Sequence, residues 1–151
     1  MREILFRGKA ANRIDGRDYR TSYKNGDWVY GLWTNVENYA GFSEMTNTSG
    51  VSGIEVDKNT VGQFTGLTDK NGKKVFEGDI VRILGNQDVE DWKNVDYNAL
   101  IAFLDGGFCA IDGTIEEHGF RRYALARMDF DLEVIGNIHD NPELLEVTDN
   151  D

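Results

Sequence analysis

Residues 61–81 read VGQFTGLTDKNGKKVFEGDIV, and the turn residues in this stretch decide the fold class of the chain. Its β-branched and aromatic residues come in short runs, which favours strands over helices. The sequence DKNG at residues 69–72 predicts a tight turn, and EGD at residues 77–79 predicts a second turn before a strand at 80–84. Apolar residues on both faces of that last strand predict a barrel or a covered sheet.

Similar turn signals recur on both sides of this stretch. Upstream, Asn25-Gly26 predicts a type I′ turn between strands at residues 19–24 and 27–34. Downstream, residues 105–107 (DGG) predict a second hairpin, which joins strands at 99–104 and 108–111. The alternating pattern thus extends over most of the chain.

The C-terminal part closes with a strand and a short helix. Residues 132–138 predict the final strand, and Asn141-Pro142 predicts a helix start, because asparagine caps backbone amides and proline fits the first turn. Residues 86–98 stay open between loop and helix, and residues 116–128 between helix and strand. The expected fold class is mostly β with short helices.

Composition bounds the class of protein. The chain has 151 residues, of which 40% are hydrophobic, and it contains seventeen glycines and one proline. This length and composition are typical of one folded β-rich domain. A single cysteine, Cys109, excludes an intramolecular disulfide, and no apolar stretch reaches the length of a membrane span. We therefore expect a protein of a reducing cytoplasm that does not bind membranes.

Acidic residues outnumber basic ones by 27 to 16, which gives a net charge of −11. Such a charge repels phosphate backbones, so direct nucleic-acid binding is not expected. Acidity can serve solubility alone, or it can form a surface that imitates DNA; the sequence leaves both interpretations open.

Two segments carry a resemblance to a known family. The sequence at residues 61–81 resembles the central signature of the YopX family, and EVIGNIHDNPELL at residues 133–145 resembles its C-terminal signature. The sequences ILFRG at 4–8 and GDWVYG at 26–31 resemble further landmarks of the family.

The resemblance implies a protein encoded by phages and prophages that forms homo-oligomers. It also implies an SH3-type β-barrel in the C-terminal two thirds, with a β-hairpin-containing N-terminal segment packed against it. We expect the N-terminal segment at residues 1–53, the barrel at 54–146 and an acidic tail at 147–151. The polar loop at residues 46–53 is the predicted divider. The resemblance implies no activity and supplies no catalytic residue.

The motifs that resemble ligand sites do not meet the requirements of those sites. A phosphate loop needs four residues between its glycines, but five separate Gly66 from Gly72, and Lys74 stands where serine or threonine would bind magnesium. The spacing around Cys109 and His118 matches no cysteine hydrolase, and a lone cysteine beside Phe108 favours the core. We expect no catalytic residue, no cofactor and no metal site.

Acidic residues alternate at Asp129, Asp131 and Glu133, so they share one face of the predicted strand. Such a row can bind a cation, but it is more often a solvated face. The row is interpreted as structural, and the question of cation binding stays open.

Aromatic and basic residues give a candidate interaction surface. A hairpin strand normally buries its aromatic rings, so burial in the core is the favoured interpretation for the aromatic strand. Its residues are Trp28, Tyr30, Trp33, Trp92, Arg121 and Arg122.

Three classes of function follow. The first is a noncatalytic phage accessory protein that binds a host or phage protein, or copies of itself. The second is an acidic decoy that occupies a DNA-binding host protein, with the carboxylates of the decoy in place of DNA phosphates. The residues suggested for that role are Asp88, Glu90, Asp91, Asp96, Asp129 and Asp131. A small hydrolase is the last class, because the sequence offers no converging set of polar groups.

Overall fold

A computed structural model describes residues 3–11, 24–36, 39–43, 53–85, 96–112, 121–125 and 131–145. The described elements are strands apart from two short 3-10 turns, so the prediction of a mostly β protein is confirmed. The strands are β1 (Phe6–Lys9), β2 (Trp28–Val36), β3 (Tyr39–Ser43), β4 (Gly53–Glu55), β5 (Gly62–Thr68), β6 (Lys74–Phe76), β7 (Asp79–Leu84), β8 (Asp96–Leu104), β9 (Gly107–Asp112), β10 (Arg121–Ala124) and β11 (Asp131–Asn137), and the 3-10 turns are Lys58–Thr60 and Pro142–Leu145.

These strands form two antiparallel sheets. One has the order β4-β3-β2-β1-β5-β6, and the other has the order β10-β9-β8-β7-β11. The chain divides into two compact units at residues 1–64 and 65–151, with β5 beginning in the first and ending in the second. The boundary expected after residue 53 stays a prediction, and the expected tail at 147–151 lies outside the described residues.

The first unit is organised around β1. This strand pairs with β2 on one side, with Lys9 opposite Trp28, and with β5 on the other, with Arg7 opposite Gly62. Its core consists of buried Ala10, Val29 and Val56, against which Phe6 and Val61 pack.

The second unit buries both faces of its five-stranded sheet around β7. Val81 and Ile83 point to the main core, whereas Ile80 points to the opposite face, and all three are fully buried. The expectation of apolar contacts on both faces of this strand is confirmed. The main core consists of Val75, Val81, Ile83, Ala99, Ile101, Ala110, Leu125 and Leu132.

The positions of the turns predicted from local sequence are also confirmed. β5, β6 and β7 follow one another with turns at the predicted positions, and β8 and β9 form a hairpin in which Asp105 and Gly106 have positive φ values of 52° and 83°. A turn is present at Asn25-Gly26, since the amide of Asp27 donates to the carbonyl of Lys24 at 3.0 Å. Its predicted type is wrong, because type I′ requires positive φ at both central residues, whereas Gly26 has a φ of 91° and Asn25 is not among the described residues with positive φ. The strand partner expected at residues 19–24 lies, apart from Lys24, outside the described residues.

Candidate functional site

The first resembling segment contains a buried aspartate that joins a turn to a distant strand. Asp69 Oδ1 accepts hydrogen bonds from the backbone amides of Asn71 and Lys73 at 2.9 and 2.8 Å. Its Oδ2 atom accepts a bond from the amide of Val134 in β11 at 2.9 Å. Beside it, the amide of Lys70 donates to the carbonyl of Leu132 at 3.0 Å. The turn after β5 therefore occupies part of the outer edge of β11.

These contacts change the acidity of Asp69. Burial raises the pKa of the carboxyl, but the three amide donors, from Val134, Lys73 and Asn71, lower it, as does the positive charge of Lys73. The amide donors and the lysine outweigh burial, so the pKa of Asp69 lies below its ordinary value of 3.8. Asp69 is thus held as a carboxylate by backbone groups, which is a structural role.

The second turn of the same segment has a similar role. Gly78 has a φ of 92°; its amide donates to the carbonyl of Ile101, and its carbonyl accepts from the amide of Ile138, both at 2.8 Å. The next residue, Asp79, is buried, and its Oδ2 atom accepts from the amide of Phe76 at 2.7 Å. This turn is tied to β8 and to the residue after β11.

The C-terminal segment packs around a glycine that has no room for a side chain. A Cβ atom on Gly136 would lie 2.6 Å from Asn141 Oδ1 and 2.9 Å from Leu144 Cδ1. Asn137 Oδ1 accepts from the amides of His139 and Asp140, at 3.0 and 2.9 Å. The 3-10 turn that follows is fixed to β8, because Asn98 Nδ2 donates to the carbonyl of Leu144 at 3.0 Å. These residues shape the chain rather than a binding pocket.

A different surface presents groups suited to binding. Strand register places Arg7 opposite Tyr30 and Lys9 opposite Trp28, so these four side chains lie on one face of β1 and β2, and Leu32 follows on β2. We call these five residues the cation–aromatic face. The opposite face of the same strands carries Phe6 and Val29 and belongs to the core.

Within the face, the side chains of Arg7 and Lys9 both lie over the indole ring of Trp28. The guanidinium carbon of Arg7 lies 4.6 Å from the centroid of the Trp28 ring, and Lys9 Nζ lies 5.4 Å from it. Both distances are within the range of cation–π attraction. On the other side of Arg7, β5 presents Gly62, which has no side chain to compete for the space of the guanidinium.

The outer part of the face is open to solvent. Tyr30 is 49% exposed and Leu32 is 38% exposed, whereas Trp28 and Lys9 are half-buried and Arg7 is 6% exposed. Burial, the favoured interpretation for the aromatic strand, is wrong for Tyr30, because the core of this unit covers the other face of β2. The face therefore combines a buried arginine, a half-buried lysine and tryptophan, an exposed phenol and an exposed aliphatic side chain.

The other residues of the predicted interaction surface are not among these five. Trp33 lies further along β2, and Trp92 lies outside the described residues. Arg121 and Arg122 lie on β10, which belongs to the second unit. Sequence reasoning missed Arg7 and Lys9, although the alternation of Phe6-Arg7-Gly8-Lys9-Ala10 is a signal that places both cations on one face.

The residues considered for catalysis or metal binding have structural surroundings where they are described. Cys109 is buried, and its Sγ atom donates to the carbonyl of Ala102 at 3.6 Å, so the prediction of a core position is confirmed. Glu133 forms an ion pair with Lys70 at 3.6 Å, Asp131 is exposed, and both Asp129 and His118 lie outside the described residues. In the described part of the chain, no three His, Cys, Asp or Glu side chains are grouped closely enough to hold a metal ion.

An exposed ion pair lies on the second unit. Arg82 Nε and Nη2 donate to the two carboxylate oxygens of Asp96 at 2.7 and 2.6 Å. This hydrogen bonding raises the pKa of Arg82 and lowers the pKa of Asp96. The charge of Asp96 is therefore matched locally by a guanidinium.

Charge is divided unequally between the two units. Residues 1–64 contain eight Lys and Arg and eight Asp and Glu, whereas residues 65–151 contain eight and nineteen. The excess negative charge of the chain thus belongs to the second unit, and the cation–aromatic face belongs to a neutral one.

The family model described as "YopX protein" matches residues 18–146. The chain belongs to the YopX family. Both signature segments of the family lie within the match, and they contain the Asp69, Gly78 and Gly136 contacts described above. Trp28 and Tyr30 also lie within the residues of the YopX match, whereas Arg7 and Lys9 precede it.

The chain is also similar to a solved structure. The crystal structure of protein EF1440 from Enterococcus faecalis is 23% identical, covers 97% of this chain and all of that one, and has a TM-score of 0.43. No curated protein matches the chain. Within the described ranges, no helix of this YopX protein has the length and hydropathy to cross a membrane.

Proposed function

We propose that this protein is a noncatalytic phage accessory protein that binds a protein partner in the cytoplasm of a bacterial host, through the cation–aromatic face. The observation that carries the proposal is that Tyr30 is 49% exposed on the strand face where Lys9 Nζ lies 5.4 Å from the Trp28 ring. Tyr, Trp and Arg dominate the energetics of protein interfaces, because they bury large areas and keep a polar group to pair. Membership of the YopX family supports the phage context.

A noncatalytic role accounts for three titrating groups whose pKa values are shifted. These groups are Asp69, Arg82 and Asp96. Asp69 is held by backbone amides within the fold, and the other two form an exposed ion pair with each other. Each shift has a structural cause, and none marks a concave site where a substrate would react.

We further propose that residues 54–146 form an SH3-type β-barrel. The five-stranded antiparallel order and the burial of both faces of β7 support it. So does the irregularity in β11 between Val134 and Gly136, since bulges bend strands in barrels. An experimental structure that shows continuous strand pairing around the sheet would establish the barrel, and an open sheet would contradict it.

The experiment that tests partner binding compares variants of two equally exposed aromatic residues. Tyr30 is 49% exposed on the face, and Phe103 is 50% exposed in the second unit. The tagged chain is used to capture proteins from a host lysate, with nuclease present, and the captured proteins are quantified by mass spectrometry. A stoichiometric partner that is lost with Tyr30→Ala and kept with Phe103→Ala is the expected result. A partner retained by both variants would place binding elsewhere.

Self-association is part of the same proposal. β10 is an edge strand of the second sheet, and edge strands offer unpaired backbone groups to another copy. By contrast, the outer edge of β11 already bonds to Asp69 and Lys70. Light scattering on the purified chain is expected to give a mass above that of one chain, and a clean monomer at high concentration would contradict self-association.

A second candidate function is the acidic decoy, and the confinement of the excess negative charge to residues 65–151 favours it. Against it, Asp96, one of the suggested phosphate mimics, is paired with Arg82. A captured partner that binds DNA, and that double-stranded DNA displaces from the protein, would place this function first. A partner that DNA does not displace would exclude it.

A further inference from the structure

We infer that the cation–aromatic face takes an acidic segment of the partner protein, with a carboxylate at Lys9 and an apolar side chain on Tyr30 and Leu32. This inference rests on the proposed binding function and adds the chemistry of the partner. It depends on three properties of the face: its charge, its apolar area and the position of its rings.

The face carries two cationic side chains, and both lie against the ring of Trp28. Arg7 is 6% exposed, and its guanidinium lies against the Trp28 ring, so it supplies a positive potential from beneath the surface rather than a direct contact. Lys9 lies over the same ring and is half-buried, so it is the more exposed cation of the pair. A lysine ammonium held over an indole loses less conformational freedom when a carboxylate binds, because part of that freedom is already lost.

The apolar area lies directly beside this charge. Tyr30 and Leu32 are consecutive residues on the same face of β2, separated by about 7 Å along the strand. An extended or helical peptide spaces neighbouring side chains of one face by a similar distance. A carboxylate at Lys9 and a ring or branched side chain on Tyr30 and Leu32 therefore fit one continuous segment.

The position of the rings favours a protein ligand over single-stranded nucleic acid. Stacking of successive bases needs successive accessible rings, but both cations already lie over the ring of Trp28. Leu32, which comes next on β2, offers an aliphatic contact and no stacking surface. The net charge of −11 further opposes a phosphate backbone.

Three labelled polymers test the inference by fluorescence anisotropy with the full chain. A random copolymer of glutamate and tyrosine supplies both chemical features, polyglutamate supplies carboxylates alone, and oligothymidylate supplies phosphates and bases. We expect the copolymer to bind most tightly and its affinity to fall as salt is raised. Lys9→Glu should weaken copolymer binding by about tenfold or more, because it replaces attraction by repulsion.

Two further variants complete the experiment. Lys74→Glu makes the same change of net charge on an exposed lysine of the second unit, and its affinity for the copolymer should stay within about twofold of the wild type. Tyr30→Ala removes the exposed ring and keeps both cations, so it should reduce the preference for copolymer over polyglutamate, and an unchanged preference would contradict the apolar contact. Circular dichroism establishes that each variant is folded.

The results separate this inference from the proposed function. Copolymer binding that Lys9→Glu weakens and Lys74→Glu does not would support the inference. Tighter binding of oligothymidylate, equal binding of polyglutamate and copolymer, or no binding of any polymer would overturn it. A lysate partner lost with Tyr30→Ala while the copolymer fails to bind would leave the binding function standing and show that the partner segment is not acidic.

Discussion

The Oδ2 atom of Asp69 accepts a hydrogen bond from the amide of Val134, which lies 65 residues further along the chain. The same carboxylate holds the amides of Asn71 and Lys73 through its other oxygen. One side chain therefore fixes the turn after β5 and attaches that turn to β11. Because the residues that it joins are far apart in sequence, this contact stabilises the tertiary fold as well as the local turn.

Removing the Asp69 carboxylate should destabilise the chain more than removing an exposed one. Asp69→Ala leaves three backbone amides without their acceptor, and an unsatisfied buried donor costs about 1–3 kcal/mol. We expect the free energy of unfolding in urea to fall by about 3 kcal/mol in total, with Asp69→Asn intermediate because it keeps one acceptor oxygen. The matched control is Asp131→Ala on β11, where the carboxylate is exposed and little change is expected. Equal losses for Asp69→Ala and Asp131→Ala would contradict the structural role.

The lowered pKa of Asp69 predicts a loss of stability in acid. The unfolded chain binds a proton near the ordinary value of 3.8, while the folded chain resists protonation to lower pH. The stabilisation is therefore complete above 3.8 and is lost as the pH falls through the folded-state value. In urea unfolding at a series of pH values, the wild type should lose stability below 3.8 more steeply than Asp69→Asn, which has no proton to bind there. Parallel curves for the two proteins would show that Asp69 is not the group responsible.

Asp96 also has a lowered pKa, but its loss should matter far less. Its partner Arg82 is exposed, and exposed ion pairs are screened by water and salt. Asp96→Asn should leave the urea midpoint almost unchanged, and any small difference from the wild type should vanish at high salt. A large loss that persists at high salt would show that the pair contributes to the fold in a way its exposure does not suggest.

Gly136 is the position where an added methyl group should be costly. A Cβ atom there would lie 2.6 Å from Asn141 Oδ1, so Gly136→Ala must displace the C-terminal turn, and overpacking of this kind costs about 1–3 kcal/mol. Gly107→Ala is the matched control, because nothing lies within 4 Å of a Cβ atom at that position. In a double-mutant cycle, Asn141→Ala should recover part of the loss at Gly136, since it removes the nearest atom. Full additivity would show that the clash is relieved elsewhere.

Turn chemistry explains how far the sequence predicted the fold. Residues 69–72 and 105–107 were predicted as turns because an aspartate that bonds its own backbone and a glycine with positive φ are local requirements. The carboxylate of Asp69 also bonds to Val134, which the same local sequence does not reveal. Local chemistry therefore located the turns but not the strand to which one of them is attached.

The candidate site was predicted only in part, because it depends on strand pairing. The sequence singled out Trp28 and Tyr30 as an aromatic strand, but it gave no means to know that β1 would lie beside them. Arg7 and Lys9 therefore went unnoticed, and burial of the rings was favoured. Which face of β2 is buried is set by Ala10 and Val56, which come from distant parts of the chain.

Cys109 offers a direct measure of how often the second unit opens. Its thiol is buried in β9, so a thiol reagent should label the native chain only through transient opening, whereas the chain in urea should react at the rate of an exposed cysteine. The signal reports one position, since the chain has a single cysteine. Asp69→Ala should raise the labelling rate in the native state, because weaker attachment of β11 makes opening more frequent. Labelling of the native wild type at the rate of the urea-unfolded chain would instead show that Cys109 is accessible.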